Sequence, residues 1–289
     1  MQKNNFDDVL ELLEGKDVIV IGCSPVVNDI FFDGEYDEPV SKTALKMNPE
    51  RNKILDHSIT ISEEDHIRYE QMYRDYGFKN DNIVTIGLNL FPCFFPSDIA
   101  LWGDQGADVC VPLVSKSKYI MTINKTIARL EQDSQNSWLL DKITHVFRWE
   151  GEKVDPNTNF ADYKKGHFDT EFNGYLYYWR TIAIAAIHLA CMAKAKSINT
   201  LAIDLDPMIA NHFYETVLCT TTKNWVNAEI VTGRNKFSGQ KISDESILDK
   251  FQKQFQGTKF YKTNTGSYLP FKYRPLKELL ANDNIPADL

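Results

Sequence analysis

Residues 16–25 read KDVIVIGCSP, and this stretch decides the fold class. Its four consecutive β-branched apolar residues, 18–21, predict a strand that is buried on both faces, as in a parallel sheet. A turn of small residues follows at once. A glycine such as Gly22 at the carboxyl end of a strand lets a ligand approach the backbone, and the amides after it can face an anion. The stretch therefore predicts an α/β sheet that binds a nucleotide or a nucleotide sugar.

The same turn also fits an ordinary connection between a strand and a helix. It contains neither the GxGxxG fingerprint of dinucleotide binding nor the GxxxxGK[ST] pattern of a P-loop. Both interpretations stay open at this point.

Composition narrows the class of protein. The chain has 289 residues, 43% of them hydrophobic and 25% charged, which is typical of a globular protein. Its formal net charge of −8 disfavours broad electrostatic binding to nucleic acid or to an anionic membrane.

Five scattered cysteines without CxxC spacing predict reduced thiols. The start has no apolar signal region, and the longest apolar run, 182–193, is too short for a membrane span, so we expect a cytoplasmic protein.

Hydrophobic patterning predicts one Rossmann-like α/β domain over residues 1–289, with a mostly parallel sheet flanked by helices. The predicted strands are 18–21, 83–88, 98–102, 119–123, 144–148, 198–203 and 259–263. The predicted helices are 7–14, 63–76, 181–195, 243–255 and 275–280. Residues 31–80 form a predicted insertion after the first strand, and residues 151–178 form a predicted lid. The aromatic stretch 167–180 could stack a base or a sugar, or pack the lid onto the core.

Polar and small residues follow several of the predicted strands. Because the carboxyl ends of parallel strands share one edge of the sheet, these residues are expected to line one crevice. They are Gly22-Cys23-Ser24, Leu88-Asn89, Gly103-Asp104, Thr122 to Asn124, and Asp204 to Asp206. The alternative is that Asn, Asp and Gly end strands because they favour turns.

The order of these motifs resembles one group of enzymes. Gly22-x-Ser24-Pro25, then Leu88-Asn89, then a Pro-Ser-Asp segment and a strand ending in Gly103-Asp104, is similar to bacterial sialyltransferases of the single-Rossmann, GT-A-like kind. Residues 179–183, 197–204, 260–264 and 267–270 resemble later parts of the same pattern. The wider group includes the flagellin-modifying motility accessory factors, archaeal pterin pyrophosphokinases and phage-encoded proteins.

The resemblance implies a set of donor-binding residues. Donor phosphate or ribose would lie at the first turn, Asn89 and Asp104 would contact the nucleoside, and the start of the apolar helix would line the donor pocket. The implied residues are Gly22, Cys23, Ser24, Pro25, Asn89, Asp104, Arg180 and Thr181. Cys23 stands where the sialyltransferases have Asn, and Ala183 replaces a Gly.

Catalysis is where the sequence departs most from the sialyltransferases. Their catalytic histidine precedes a late helix, and residues 236–241 of this chain contain no histidine. A transfer that inverts the sugar needs a base for the acceptor hydroxyl. His212 is the preferred candidate, with His167, Asp204 and Asp206 as alternatives. Asp204-x-Asp206 resembles the DxD motif that holds Mg²⁺ or Mn²⁺ against a diphosphate.

Together these patterns predict a glycosyltransferase that uses a CMP- or UDP-type nucleotide sugar. The acceptor, a glycan, a protein or a modified DNA base, stays open, and so does assembly into a homo-oligomer. Two other functions fit the same residues. One is a Mg²⁺-dependent pyrophosphokinase or phosphotransferase on the same scaffold, and the other is a non-catalytic nucleotide-binding protein with a decayed site.

Overall fold

Short runs of β-branched and other apolar residues form the strands, and in the computed structural model every residue of the five central strands is buried. The structure describes residues 5–24, 26–31, 63–149, 170–172, 174–176, 181–203, 247–265, 267 and 269–281. Burial on both faces explains why four of these strands are mostly apolar. The fifth, Ser197–Leu201, contains three buried polar residues, Ser197, Asn199 and Thr200, whose side chains form hydrogen bonds within the protein.

The described residues form nine strands and nine α-helices, together with short 3₁₀ turns. The strands are β1 Asp17–Ile21, β2 Ile83–Leu88, β3 Ile99–Trp102, β4 Tyr119–Ile123, β5 His145–Trp149, β6 Tyr175–Leu176, β7 Ser197–Leu201, β8 Lys259–Lys262 and β9 Lys272–Tyr273. The helices are α1 Asp7–Leu13, α2 Val26–Phe31, α3 Glu63–Asp75, α4 Phe91–Phe94, α5 Cys110–Val114, α6 Asn124–Gln132, α7 Ile182–Met192, α8 Ile247–Gln254 and α9 Leu276–Leu280.

All nine described strands lie in one parallel sheet, in the order β6-β5-β4-β3-β2-β1-β7-β8-β9. From β1 the chain adds strands outward on one side as far as β6. It then returns across the sheet, and β7 pairs with the other side of β1. The order of strands therefore reverses between β1 and β7, as it does in doubly wound α/β folds.

Helices cover both faces of the sheet. α1, α7 and α8 pack on one face, against residues such as Val18 and Val20 of β1. The second face, which includes Ile19 and Ile21, is covered by α2, α3, α4, α5, α6 and α9. All residues of α7 are buried, because this helix carries the chain back across the sheet from β6 to β7. The α/β class with a parallel sheet and flanking helices is confirmed.

The predicted strands agree with the observed ones within two residues at each end, and the long apolar helix predicted at 181–195 is observed at 182–192. All seven predicted strands are present, and helices lie at 7–13, 63–75, 182–192, 247–254 and 276–280. The sequence pattern does not predict six of the described elements: β6, β9, α2, α4, α5 and α6. Residues 32–62 of the predicted insertion lie outside the described residues, as does most of the predicted lid.

Candidate functional site

The carboxyl ends of β2, β1 and β7 lie side by side where the strand order reverses. In open α/β sheets the connections on the two sides of such a reversal lead to opposite faces, and ligands bind in the crevice between them. We call this edge the switch-point rim and define it by residues 22–24, 89 and 202–203.

Gly22 holds β1 against β7 beyond the ends of both strands. Its amide donates to the carbonyl oxygen of Leu201 at 2.8 Å, and the amide of Ser24 donates to Ala202 at 3.1 Å. A Cβ atom on Gly22 would lie 2.3 Å from the carbonyl oxygen of Ala202. Close packing against Ala202 therefore explains why a glycine is needed at position 22. The predicted contact of Gly22 with a ligand stays a prediction.

The neighbours of Gly22 contact the protein itself. The Cys23 thiol is buried and donates to the carbonyl oxygen of Leu88 at 3.2 Å. The Ser24 hydroxyl accepts from the amide of Val26 at 3.4 Å, which caps the start of α2. Pro25, the fourth predicted residue of this turn, lies outside the described residues.

Asn89 has the most unusual environment on the rim. Its φ angle is +48°, and its amide donates to the carbonyl oxygen of Leu101 at 3.0 Å. Its side-chain Oδ1 atom is buried and accepts no hydrogen bond. A buried acceptor without a donor costs about 1 to 3 kcal/mol. A ligand amino or hydroxyl group at this place would remove that cost.

Backbone strain concentrates at the same place. Among the described residues, three non-glycine residues have positive φ: Asn89, Lys194 and Ala202. Lys194 follows the end of α7, whereas Asn89 and Ala202 follow the two strands that flank β1. Non-glycine residues with positive φ persist where the surrounding structure fixes them, and they cluster at binding sites. The strain thus marks the rim independently of the orphaned amide oxygen.

Asp104 lies farther out, after β3. It is exposed, and its Oδ1 accepts from the amide of Gly106 at 3.2 Å, so it caps a 3₁₀ turn. β3 is two strands from β1, or about 10 Å at the usual strand spacing. The structure therefore does not bring Asp104 next to Gly22, and its predicted nucleoside contact stays a prediction.

Thr181 caps α7, since its side chain accepts from the amide of Ala183 at 3.4 Å. Helix N-termini favour such an acceptor because their first amides have no partner within the helix. The other predicted residues of the donor pocket and of catalysis lie outside the described residues: Arg180, His167, His212, Asp204 and Asp206. The residues that are described contain no group of three or more acidic, histidine or cysteine side chains that could hold a metal ion.

A buried ion pair beside β3 was not predicted. Arg129 of α6 binds Asp108 through two hydrogen bonds of 2.6 and 2.8 Å, and the indole nitrogen of Trp102 donates to the same carboxylate at 3.1 Å. The pair ties α6 to the end of β3. No sequence signal could have found it, because the partners are 21 residues apart and lie in different elements.

A separate cleft lies near the edge of the sheet that β5 and β6 form, and we call it the β5 cleft. Its volume is about 750 Å³, within the range of small-molecule sites. Its walls come from α1, α6, β5 and β6, and they include Phe6, Asp7, Glu131, Arg148, Phe172 and Tyr175.

Comparisons with protein-family models, curated proteins and solved structures found no match to this chain. No helix in the described ranges has both the length and the apolar character that crossing a membrane requires. Function therefore has to be inferred from the switch-point rim and the cleft.

Proposed function

We propose that the chain binds a nucleotide sugar at the switch-point rim and transfers the sugar to an acceptor hydroxyl. The observation that carries the proposal is the buried Oδ1 of Asn89, which has no donor, at the edge where doubly wound sheets bind nucleotides. The exocyclic amine of a base or a ribose hydroxyl is the kind of donor that this oxygen lacks. A CMP- or UDP-type donor is proposed from the resemblance to the sialyltransferases.

In this proposal the donor phosphate lies near the first turn and the start of α7. After β1 the chain bends at Ser24 before α2, and Thr181 is the N-cap residue of α7. The base that takes the proton of the acceptor hydroxyl is His212 or Asp204, and Asp204 with Asp206 would hold Mg²⁺ or Mn²⁺ if the transfer uses a metal. These roles come from the sequence pattern alone.

A thermal-shift panel tests nucleotide binding. The panel holds CMP, UDP, GDP, ATP and their common sugar conjugates, each with and without Mg²⁺. A ligand at one hundred times its Kd stabilises the native state by about 2.7 kcal/mol. We expect one CMP or UDP compound to raise the Tm. Stabilisation by ATP with Mg²⁺ alone would point to the phosphotransferase instead, and no shift with any compound would overturn the proposal.

A matched pair of variants assigns the binding to Asn89. Asn89→Gly removes the amide group and still tolerates a φ of +48° without strain. Asn82→Ala changes an exposed asparagine just before the other end of β2. We expect Asn89→Gly to abolish most of the ligand-induced shift and Asn82→Ala to retain it. An unchanged shift in Asn89→Gly would contradict the proposed role of Asn89.

Transfer is then separated from binding by following slow hydrolysis of the stabilising nucleotide sugar. We expect release of the free sugar by the unaltered chain, and loss of that release in His212→Ala or Asp204→Asn with binding retained. Binding without any hydrolysis or transfer would favour the non-catalytic alternative.

A further inference from the structure

The β5 cleft lies at the outer part of the sheet, away from the switch-point rim. On one side β5 pairs with β4, and on the other side, within the described part of the chain, β6 pairs with β5 at Arg148 and Trp149. The cleft opens along this part of β5 and is flanked by α1 and α6. The cleft lies beyond β4, which is three strands from β1, or about 14 Å at the usual strand spacing. The cleft is therefore a separate site from the rim.

Aromatic rings form one wall of the cleft. Phe172 is half-buried and packs on the buried ring of Phe6, with ring centroids 4.2 Å apart. Tyr175 is also half-buried, and its hydroxyl accepts from Arg148 at 3.2 Å. The guanidinium of Arg148 lies 5.8 Å from the centre of the tyrosine ring. These contacts hold the rings in place, so that a flat apolar face of a ligand has a fixed surface to stack on.

One face of α6, with both polar and apolar side chains, forms the other wall. α6 presents Asn124, Ile127, Ala128 and Glu131 to the cleft, at the three- and four-residue spacing of one helix face. Among the described residues, the charged side chains that line the cleft are Asp7, Glu131 and Arg148, two carboxylates against one cation. This balance disfavours a phosphorylated ligand, since a diphosphate would be repelled by the carboxylates. It favours a neutral ligand that both donates and accepts hydrogen bonds.

We propose that the β5 cleft binds an uncharged saccharide at a site separate from the proposed transfer. A sugar ring has a flat apolar face for Phe172 or Tyr175, and its hydroxyls match carboxylate, amide and guanidinium partners. The binding of a saccharide rests on the cleft alone.

Saturation-transfer NMR with lactose, maltose, N-acetylglucosamine and methyl mannoside tests this proposal, in the absence of any nucleotide. The variants are Tyr175→Ala, which removes a ring of the cleft, and Glu131→Gln, which changes an exposed side chain on α6 and leaves the fold intact. The control is Tyr273→Ala, because Tyr273 is an exposed tyrosine on β9, the two-residue strand at the opposite edge of the sheet.

We expect transfer to at least one saccharide, weakened about tenfold in Tyr175→Ala and in Glu131→Gln and unchanged in Tyr273→Ala. If no saccharide of the panel receives saturation, or if neither cleft variant weakens the transfer, the proposal is wrong. Nucleotide-induced shifts in Tm are recorded on the same variants. Saccharide binding without any nucleotide-induced shift in Tm would contradict the proposed nucleotide site at the rim and support the saccharide site in the cleft. A nucleotide-induced shift without saccharide binding would support the site at the rim and contradict the site in the cleft.

Discussion

At the scale of single residues, Gly22 shows most directly how a sequence pattern, a glycine after a buried strand, relates to the fold. A glycine after a buried strand predicted close approach of a ligand. The structure shows close approach of the protein's own backbone, because the carbonyl group of Ala202, just after β7, lies where a Cβ atom would be. The two uses are compatible, since a backbone held tightly here also fixes the amides that follow it.

Replacing Gly22 by alanine is therefore expected to destabilise the protein. The new Cβ would lie 2.3 Å from the carbonyl oxygen of Ala202 and 2.9 Å from the side chain of Ile203, and the first contact is with backbone that cannot rotate away. Overpacking of this kind costs about 1 to 3 kcal/mol. Urea unfolding followed by circular dichroism measures it.

The matched control is Gly257→Ala. A Cβ on Gly257 meets nothing within 4 Å, and its backbone is not in the left-handed region, so we expect a change of about 0.5 kcal/mol or less. Equal stability of the two alanine variants would show that the close approach at Gly22 carries no cost.

At the scale of elements, α6 shows what keeps a helix in place when its own sequence signals are weak. It starts directly after β4, with Ile123 at the N-cap position and no side-chain cap. Thr126 and Leu130 are its buried residues, so its apolar contact is small. The ion pair between Arg129 and Asp108 supplies the missing attachment.

Asp108→Asn tests this attachment. The amide keeps the shape of the side chain and an acceptor for Trp102, and it removes the charge that Arg129 neutralises. Arg129 is 24% exposed, so solvent replaces part of the lost interaction and we expect a loss of about 2 kcal/mol. Urea unfolding of the variant checks the value.

The comparison variant is Arg74→Ala, which removes an exposed ion pair with Glu70 on α3. Exposed pairs between residues four apart on a helix contribute about 0.3 to 0.5 kcal/mol. If Asp108→Asn costs no more than Arg74→Ala, the attachment of α6 comes from its apolar contacts instead.

The elements also show how much of the fold could be predicted from the sequence. β1 was predicted because four apolar residues in a row leave little alternative to a buried strand. β2 and β4 were predicted because they are apolar except at Thr85, Gly87 and Thr122. α6 was missed because it begins directly after β4, so that no turn residues separate the two elements. β6 and β9 were missed because two residues carry no periodicity. Their pairing depends on the neighbouring strand.

Prediction of the site divides in the same way. Asn89 was predicted from its place after a strand, and the structure adds the orphaned oxygen and the positive φ. The strain at Ala202 could not be predicted, since alanine gives no sign of a left-handed backbone. The β5 cleft could not be predicted either. Its walls come from α1, α6 and β6, which are far apart in the sequence and become neighbours because of the order of strands in the sheet.

At the scale of the whole molecule, one sheet supports two helical layers, and the two layers share every central strand. β1 alone contributes Val18 and Val20 to one core and Ile19 and Ile21 to the other. If either layer separated, apolar residues on that face of all the central strands would meet water. We therefore expect the two layers to unfold together.

Two buried cysteines report on the layers separately. Cys191 lies in α7, in one core, and Cys93 lies in α4, in the other. Burial raises the pKa of both thiols well above their usual range, so at neutral pH both are protonated as well as inaccessible. In the native protein we expect neither to react with iodoacetamide within minutes, and raising the pH to 8.5 to change this little, because access still requires opening.

Labelling in a series of urea concentrations, with each cysteine identified by peptide mass spectrometry, then gives one midpoint for each layer. We expect the two midpoints to coincide with each other and with the loss of circular dichroism, as cooperative unfolding requires. Labelling of the fully denatured chain supplies the reference rate for each thiol. A lower midpoint for Cys93 alone would mean that the layer containing α4 opens while α7 stays on the sheet. Half of the switch-point rim would then be mobile without global unfolding, and ligand binding there would have to close it.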